Sequence, residues 1–346
     1  MTDLITPLPT SWVGPIRISG SDYCAETKVP LATYESPLWP SVGRGARVTR
    51  LVDEGVAVTV VRESMTRSVA LATDTAAEGH RISEWIHAEL DKLRIVASST
   101  SRYLRLEEAY TEVAGNLVFV RFSFTTGSAA GHNMATLAAE RLLRFLLDEF
   151  PYADYGSISG NMCTDKKNSS INGILGRGRS CVADILIPRD IVRSQLRTTA
   201  AEFVSLNVRK NLVGSILAGG VRTANAHYAN MIAAFYLATG QDVANIVEGS
   251  QGVTYCEDRN GDLYFSCQLP NLIIGSVGTG KNLPTVAENM RGMGIDATGD
   301  EAASRKLAAI CAATVLCGEL SLLAAQTNIG ELMESHVKIE RGRQHG

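Results

Sequence analysis

The stretch Ser159-Gly160-Asn161-Met162-Cys163-Thr164-Asp165-Lys166-Lys167 sets a carboxylate and two ammonium groups at consecutive positions among small and polar residues. Unpaired charge of this kind is costly in a core. On a surface it is commonplace, since short charge clusters are most often solvated faces. In a pocket the same set could hold an anionic substrate and stabilise a developing oxyanion. Gly176-Arg177-Gly178-Arg179 follows closely and supplies more cationic groups. Other candidates are scattered. Glu35, within Pro30-Leu31-Ala32-Thr33-Tyr34-Glu35-Ser36-Pro37-Leu38, is either an exposed loop acid or a buried one with a raised pKa. Asp242, after Gly240-Gln241, has helix capping as its ordinary role. His227, in Asn225-Ala226-His227-Tyr228-Ala229-Asn230, reads alone as a satisfied core histidine. His336, in Glu334-Ser335-His336, sits where a histidine usually compensates a helix dipole.

The elements that must position these groups follow from periodicity. Residues 1–65 look irregular, with prolines at 7, 9, 15, 30, 37 and 40, although Val56–Val61 alternates as a strand would. Val69–Ala72, Arg105–Tyr110, Leu117–Phe124 and Tyr155–Ile158 read as strands, and Ala76–Leu93 and Asn133–Phe150 as helices. That β-α-β-β-α-β order predicts a ferredoxin-like module over 68–158. Helical periodicity returns over Thr198–Asn211, Ala224–Thr239 and Ala302–Ala325. Tyr255–Ile274 reads as two or three strands with a hairpin turn at Asp258-Arg259-Asn260-Gly261. The expectation is an α+β protein. Residues 1–67 and 159–346 form a large helix-rich domain, and 68–158 an inserted ferredoxin-like domain.

Composition narrows the function classes. The chain has 346 residues and a net charge of −3, which gives no support for nucleic-acid binding. Its seven cysteines are odd in number and lack any Cys-x-x-Cys pair, arguing for a reducing compartment and against a disulfide or zinc framework. No apolar run reaches the length of a membrane span, and no signal peptide is read at the start. A cytoplasmic protein is expected.

Residues 159–167 closely resemble a loop of the 3-hydroxy-3-methylglutaryl-coenzyme A reductase family, which runs Ser-Gly-Asn-Tyr-Cys-Thr-Asp-Lys-Lys; Met162 is the one change. The likeness is unbroken from Gly156 to Pro188. It extends in the family's order from Trp12-Val13-Gly14-Pro15 to His336, and is nearest to the eukaryote-like branch. The family's Pro-Met-Ala-Thr-Thr-Glu segment falls on residues 30–35, although Ser36-Pro37 departs from its usual continuation. The resemblance implies that Glu35, Lys166, Asp242 and His336 are catalytic. It implies that Arg67, Ser159, Asp165, Lys167, Lys210, His227 and Asn230 bind substrate, with no metal. The implied reaction is a double reduction of the thioester by NADPH, through a hemithioacetal and an aldehyde, to mevalonate and coenzyme A. It belongs to the mevalonate pathway of isoprenoid biosynthesis. The family's site lies between subunits, so a homodimer or homotetramer is implied too.

Gly127-Ser128-Ala129-Ala130-Gly131-His132-Asn133-Met134 resembles the family's cofactor motif Gly-Asp-Ala-Met-Gly-x-Asn-Met, with Ser128 in place of the acid. By that resemblance Ser128, Ala129, Gly131 and Asn133 contact cofactor. Ser101 and Arg102, in Ser99-Thr100-Ser101-Arg102-Tyr103, resemble the segment that holds the 2'-phosphate of NADPH, and an arginine beside a hydroxyl suits that phosphate. Gly275-Ser276-Val277-Gly278-Thr279-Gly280-Lys281-Asn282 resembles a nucleotide-contacting surface, bringing in Gly275, Gly278 and Gly280. The same segment nearly fits a phosphate-binding P-loop, but Asn282 stands where that pattern needs a hydroxyl. A further alternative is a non-catalytic or sensory relative that binds acyl-coenzyme A, for which Ser128 and Ser36-Pro37 speak. Against it, binding alone would not need Glu35, Lys166, Asp242 and His336 together.

Overall fold

Alternating burial along Thr10–Ser19 (β1) and Ala25–Ala32 (β2) makes an antiparallel pair at the edge of a long sheet. These strands correct the expectation of an irregular start. Pro15 sits at a register shift between Val13 and Ile16, and Pro30 lies opposite Trp12 on the edge strand β2. Edges and bulges are where a strand tolerates proline. The next helix, α1 (Leu38–Leu51), takes Pro40 in its first turn, where the missing N–H costs nothing. The computed structural model describes residues 6–296, 300, 302–331 and 333.

The central element is β3, one strand over Val56–Ala72 where the periodicity predicts two. Ala57 to Ser64 pair with β7 (Gly178–Ile187), and from Met65 onward the strand pairs with β5 (Leu117–Thr125). It thus serves two sheets and changes over between Ser64 and Met65. The second sheet is antiparallel, with β4 (Arg105–Ala114) beside β5, β5 beside β3, and β3 beside β6 (Asp154–Ser157). Its helices are α2 (Ala76–Ala88), α3 (Leu90–Ser98) and α4 (His132–Glu149). The expected helix 76–93 breaks at Glu89, which leaves helical geometry (φ −110°, ψ 29°) while its N–H still bonds the Trp85 carbonyl. Leu71, Ile82, Ile86, Phe122, Leu142 and Leu146 lie in one apolar cluster of this unit.

The chain then returns to the first sheet through α5 (Ser170–Leu175), β7 and a short helix α6 (Arg189–Ile191). Helix α7 (Ala200–Asn207) runs into a π-helical turn at 208–214 and ends in α8 (Ser215–Leu217). A short strand β8 (Thr223–Ala224) precedes α9 (Tyr228–Ala238) and α10 (Ile246–Gly249). The hairpin β9 (Gly252–Arg259) and β10 (Asp262–Leu272) turns through Asn260 and Gly261, both at positive φ. The sheet order is β2-β1-β3-β7-β10-β9-β8. Helix α11 (Pro284–Gly292) is followed by α12 (Ala303–Gln326). Against the expectation from the sequence, α12 is long and apolar enough by length and composition to cross a membrane, but its most apolar window is 94% buried, so its hydrophobicity is consumed by the protein's own core. It packs on α1 through Gly45, where a Cβ would lie 2.1 Å from the Cys317 carbonyl oxygen. The architecture is a mixed α/β fold with more sheet than the helical periodicities suggest.

Candidate active site

The loop after β6 is tied to β3 by the Gly160 N–H, which donates to the Ser68 carbonyl at 3.1 Å. Asn161, Thr164 and Lys166 all take positive φ (60°, 43° and 56°), a conformation that costs L side chains energy and persists only where the surroundings over-determine it. The restraint on Lys166 is visible. Its backbone N–H donates to Glu248 Oε1 at 3.1 Å. Glu248 has no exposed surface; it accepts from Asn245 at 2.8 Å and pairs with Arg177, equally buried, at 2.7 Å. Arg177 also reaches Asp165 at 2.9 Å. Burial pushes the Glu248 carboxyl up and Arg177 opposes it. A buried salt bridge thus fixes the backbone of the charged loop and leaves the Lys166 side chain free to turn outward.

That side chain meets Asp242 Oδ2 at 2.7 Å, with 41% and 45% of the two side chains exposed. The hydrogen bond to Asp242 holds the Lys166 ammonium above its ordinary pKa against a smaller desolvation effect. For Asp242, desolvation pushes upward, but the Lys166 bond and the Ala244 N–H together hold the carboxyl below its usual range. Asp242 caps the following 3-10 turn through Ala244, so its ordinary capping role and its pairing with Lys166 coexist. His132, at the start of α4, brings Nε2 to 3.9 Å from Asp165. Burial, then Arg177, pushes its imidazole pKa down, while Asp165 and Asp242 act the other way. Lys167 turns back to the Asp165 carbonyl at 3.1 Å and is exposed. Arg67, on β3, lies beside Cys163; there desolvation raises the thiol's pKa, and bonds to Ser68 with Arg67's charge bring it down overall. Ser159 is exposed on the same loop.

Glu35 stands apart from this cluster. It is exposed between β2 and α1 and accepts from Asn230 Nδ2 at 2.9 Å. Asn230 lies in the first turn of α9 and Asp242 just past the other end, with about 12 Å of helix between Asn230 and Ala238 at 1.5 Å per residue. No described hydrogen bond or ion pair joins the Glu35–Asn230 pair to the Lys166–Asp242 pair. His227 is held by α12, its Nε2 being 3.0 Å from the Gly318 carbonyl and its N–H donating to Glu319 at 3.0 Å. Lys210, half-buried on the π-helical turn, makes no side-chain hydrogen bond or ion pair among the described residues. His336 lies outside the described residues.

The glycine-rich segments do come together. The Ser276 N–H donates to the Ser128 carbonyl at 2.8 Å, and Ala129 and Val277 form a parallel bridge. A Cβ on Gly275 would lie 2.3 Å from the Ala130 nitrogen, so only glycine permits this approach. Arg179, buried, donates to the Gly127 and Ile274 carbonyls and clamps the two loops. Gly131 (φ 95°) starts α4 and leaves Asn133 exposed in its first turn. Gly278 and Gly280 take φ of 110° and 85° on the rim of a cleft of about 1050 Å³. A Cβ on Gly127 would be 3.8 Å from Tyr103, which places Ser101 and Arg102 by the same loops. The Arg102 guanidinium lies 4.6 Å from the centre of the Tyr103 ring.

The family model for hydroxymethylglutaryl-coenzyme A reductase matches residues 5–341. The chain belongs to this family. It is 42% identical over 338 residues to the 3-hydroxy-3-methylglutaryl-coenzyme A reductase of Aeropyrum pernix, covering 97% of this chain and 80% of the relative. With the enzyme of Methanothermobacter thermautotrophicus it shares 43% over 339 residues, covering 98% and 84%. The fold is similar to that of the class II reductase of Streptococcus pneumoniae solved with NADPH, with a TM-score of 0.74 at 18% identity over 94% of this chain and 86% of the other. For a member of this family, the residues that sequence reasoning missed are Glu248, Asn245 and Glu319. Glu248 sits in the apolar run Ile246-Val247-Glu248-Gly249, and an acid in such a run calls for a buried cation.

Proposed function

We propose that this protein reduces 3-hydroxy-3-methylglutaryl-coenzyme A with NADPH to mevalonate and coenzyme A, as in the mevalonate pathway. The observation that carries this is the Lys166–Asp242 pair at 2.7 Å, presented to solvent on a loop whose backbone is locked from beneath by Arg177 and Glu248. A cation fixed in place before the reaction stabilises negative charge on a carbonyl oxygen without reorganising. Asp242 keeps that lysine protonated across the neutral range. Asp165, Lys167, Arg67 and Ser159 would orient the substrate's hydroxyl and free carboxylate. Glu35 would protonate the alcohol oxygen, and His336 the departing thiolate.

The paired glycine loops suit a dinucleotide, since they offer main-chain N–H groups and a helix start without side-chain obstruction. NADPH would supply hydride there, with Ser128, Ala129, Gly131, Asn133, Gly275, Gly278 and Gly280 around it and Ser101 and Arg102 toward its 2'-phosphate. In this reading residues 68–158 are an inserted ferredoxin-like cofactor domain, supported by the strand order β4-β5-β3-β6 and a separate apolar cluster. Residues 1–67 and 159–346 form the substrate domain.

The site also lies between subunits in this proposal. Glu35–Asn230 and Lys166–Asp242 sit at opposite ends of α9, and a second copy could bring one pair to the other. The α7–α8 segment leaves Ile216 and Leu217 exposed at 76% and 82%, next to Lys210, as a face for that copy. A cytoplasmic location agrees with seven free cysteines, of which only Cys24 is exposed. Oxidation of NADPH and NADH, measured with and without the acyl-coenzyme A substrate, tests the proposal. Substrate-dependent NADPH oxidation is expected; tight substrate binding without turnover would make the chain a binding relative instead.

A further inference from the structure

Lys281 is the residue that gives 275–282 its likeness to a P-loop, yet its ammonium does not point into the mouth of the loop. It donates to the Thr239 carbonyl at 3.0 Å and to the Gly240 carbonyl at 2.6 Å. Both carbonyls lie past the C-terminus of α9, the end that attracts cations, and the Thr239 carbonyl also accepts from Gln241 Nε2 at 3.1 Å. The preceding carbonyl, Ala238, is taken by Asn289 from α11 at 2.8 Å. At the other end of the loop, Gln241 clasps Gly275 through both amide atoms, each contact at 3.0 Å. The turn 239–241 is therefore pinned to both ends of segment 275–281. The next residue along the chain is Asp242.

We infer that Lys281 is a positioning residue for Asp242, welding the glycine loop to the turn that presents the Lys166–Asp242 pair. The inference rests on the role proposed above for that pair, and it assigns Lys281 no contact with phosphate. Gly240 (φ 63°) gives the turn no side chain of its own, and Gly280 packs against it so closely that a Cβ on Gly240 would lie 2.9 Å from the Gly280 carbonyl. Burial pushes the Lys281 pKa down to about 7, and Arg291 and Asp296 line the same cleft. The two carbonyl acceptors act in the opposite sense and favour the ammonium.

The test is Lys281→Met in the full-length protein, with Lys281→Arg as the conservative partner. Methionine keeps the chain's length and removes the donor. The kcat for reduction is expected to fall about tenfold or more while KM for the acyl substrate changes less than about threefold, because Asp165, Lys167 and Arg67 are not on this turn. Competitive acetylation read by mass spectrometry follows Lys166 without needing turnover. Lys166 faces Asp242, Asp165, Glu248 and His132, and only Asp242 rides on the clamped turn. Its titration should therefore move to lower pH in Lys281→Met and return toward wild type in Lys281→Arg. An unmoved Lys166 titration in Lys281→Met, even with reduced activity or melting temperature, would make Lys281 a structural cap only and overturn the inference. If Lys281→Met does not fold, Lys281→Gln, which keeps a donor for one carbonyl, is read by the same two criteria. Wild-type protein that shows no turnover but loses the Lys166 shift on mutation would sink the reductase proposal and leave this one standing.

Discussion

The 159–167 loop and the glycine loops approach each other where His132 lies 3.9 Å from Asp165, but they are held by different means. Asp165 and Lys166 are fixed by full charges in the interior, Arg177 and Glu248, neither with exposed surface. Gly127–Gly131 and Gly275–Gly280 are fixed mainly by backbone approach, with Arg179 as the buried clamp. A buried ion pair specifies one arrangement sharply and fails badly when half of it is removed. Main-chain packing yields a smooth, donor-rich surface that tolerates change in the side chains at its rim. Where a single ammonium must meet a single oxygen, the first kind of support is the suitable one. Where a long cofactor is held by many weak contacts, the second suffices.

The largest test of this contrast is Arg177→Met. It leaves Glu248 and Asp165 without their shared cation in the interior, and the expected loss is about 3–5 kcal/mol of folding stability. Urea unfolding measures it, and a loss under about 1 kcal/mol would mean that the buried pair does not fix the loop. Lys166→Ala comes next. The fold should survive, since that side chain is half exposed, but turnover should drop roughly a hundredfold, about 3 kcal/mol, with little change in substrate affinity. Near-normal kcat in a folded variant would remove the oxyanion role.

On the cofactor side the expected effect is smaller. Arg102 is exposed and rests on the Tyr103 ring, so it is preorganised without being part of any core. Arg102→Ala should shrink a preference for NADPH over NADH by about tenfold, or about 1.4 kcal/mol. NADH kinetics should stay nearly intact. Competition binding with both cofactors decides this. Equal damage to both would assign Arg102 a structural role in place of a phosphate contact.

Much of this was legible in the sequence because each motif is local. The glycine loops, the 159–167 loop and the hairpin at Asn260-Gly261 declare themselves by residue type. Prolines made 1–65 look irregular, because sequence alone does not tell an edge strand or a first helical turn from a loop. The continuity of β3 was hidden for a related reason: its two halves face different cores, so its burial pattern changes midway. Glu248 was missed because its partner Arg177 lies 71 residues away, and no local pattern announces such a pair. The split between Glu35–Asn230 and Lys166–Asp242 was equally out of reach, since it depends on which end of α9 each loop meets.

The smallest effect belongs to the exposed half of the substrate loop's charge. The Lys166–Asp242 pair is nearly half open to water, and such pairs contribute at most about 1 kcal/mol to stability. Its pH window follows from the two shifts. The Asp242 carboxyl is held below its ordinary 3.8, so its contribution is complete above that value and disappears as the pH falls through the lower folded value. The Lys166 ammonium is held above its ordinary 10.5, so its contribution is complete below that value and disappears as the pH rises through the higher folded value. Between about pH 5 and pH 9 neither group changes charge. The stability difference between wild type and Asp242→Asn should therefore vary only weakly over that range, through the pull of Asp242 on His132, and shrink mainly below about pH 4 or above about pH 10. Urea titrations at several pH values would show it. A difference that instead changes steeply through neutrality would mean that the coupling to His132, the imidazole beside Asp165, dominates the pair. The buried and exposed charges of this loop would then titrate as one unit, and the division of labour between them would fall.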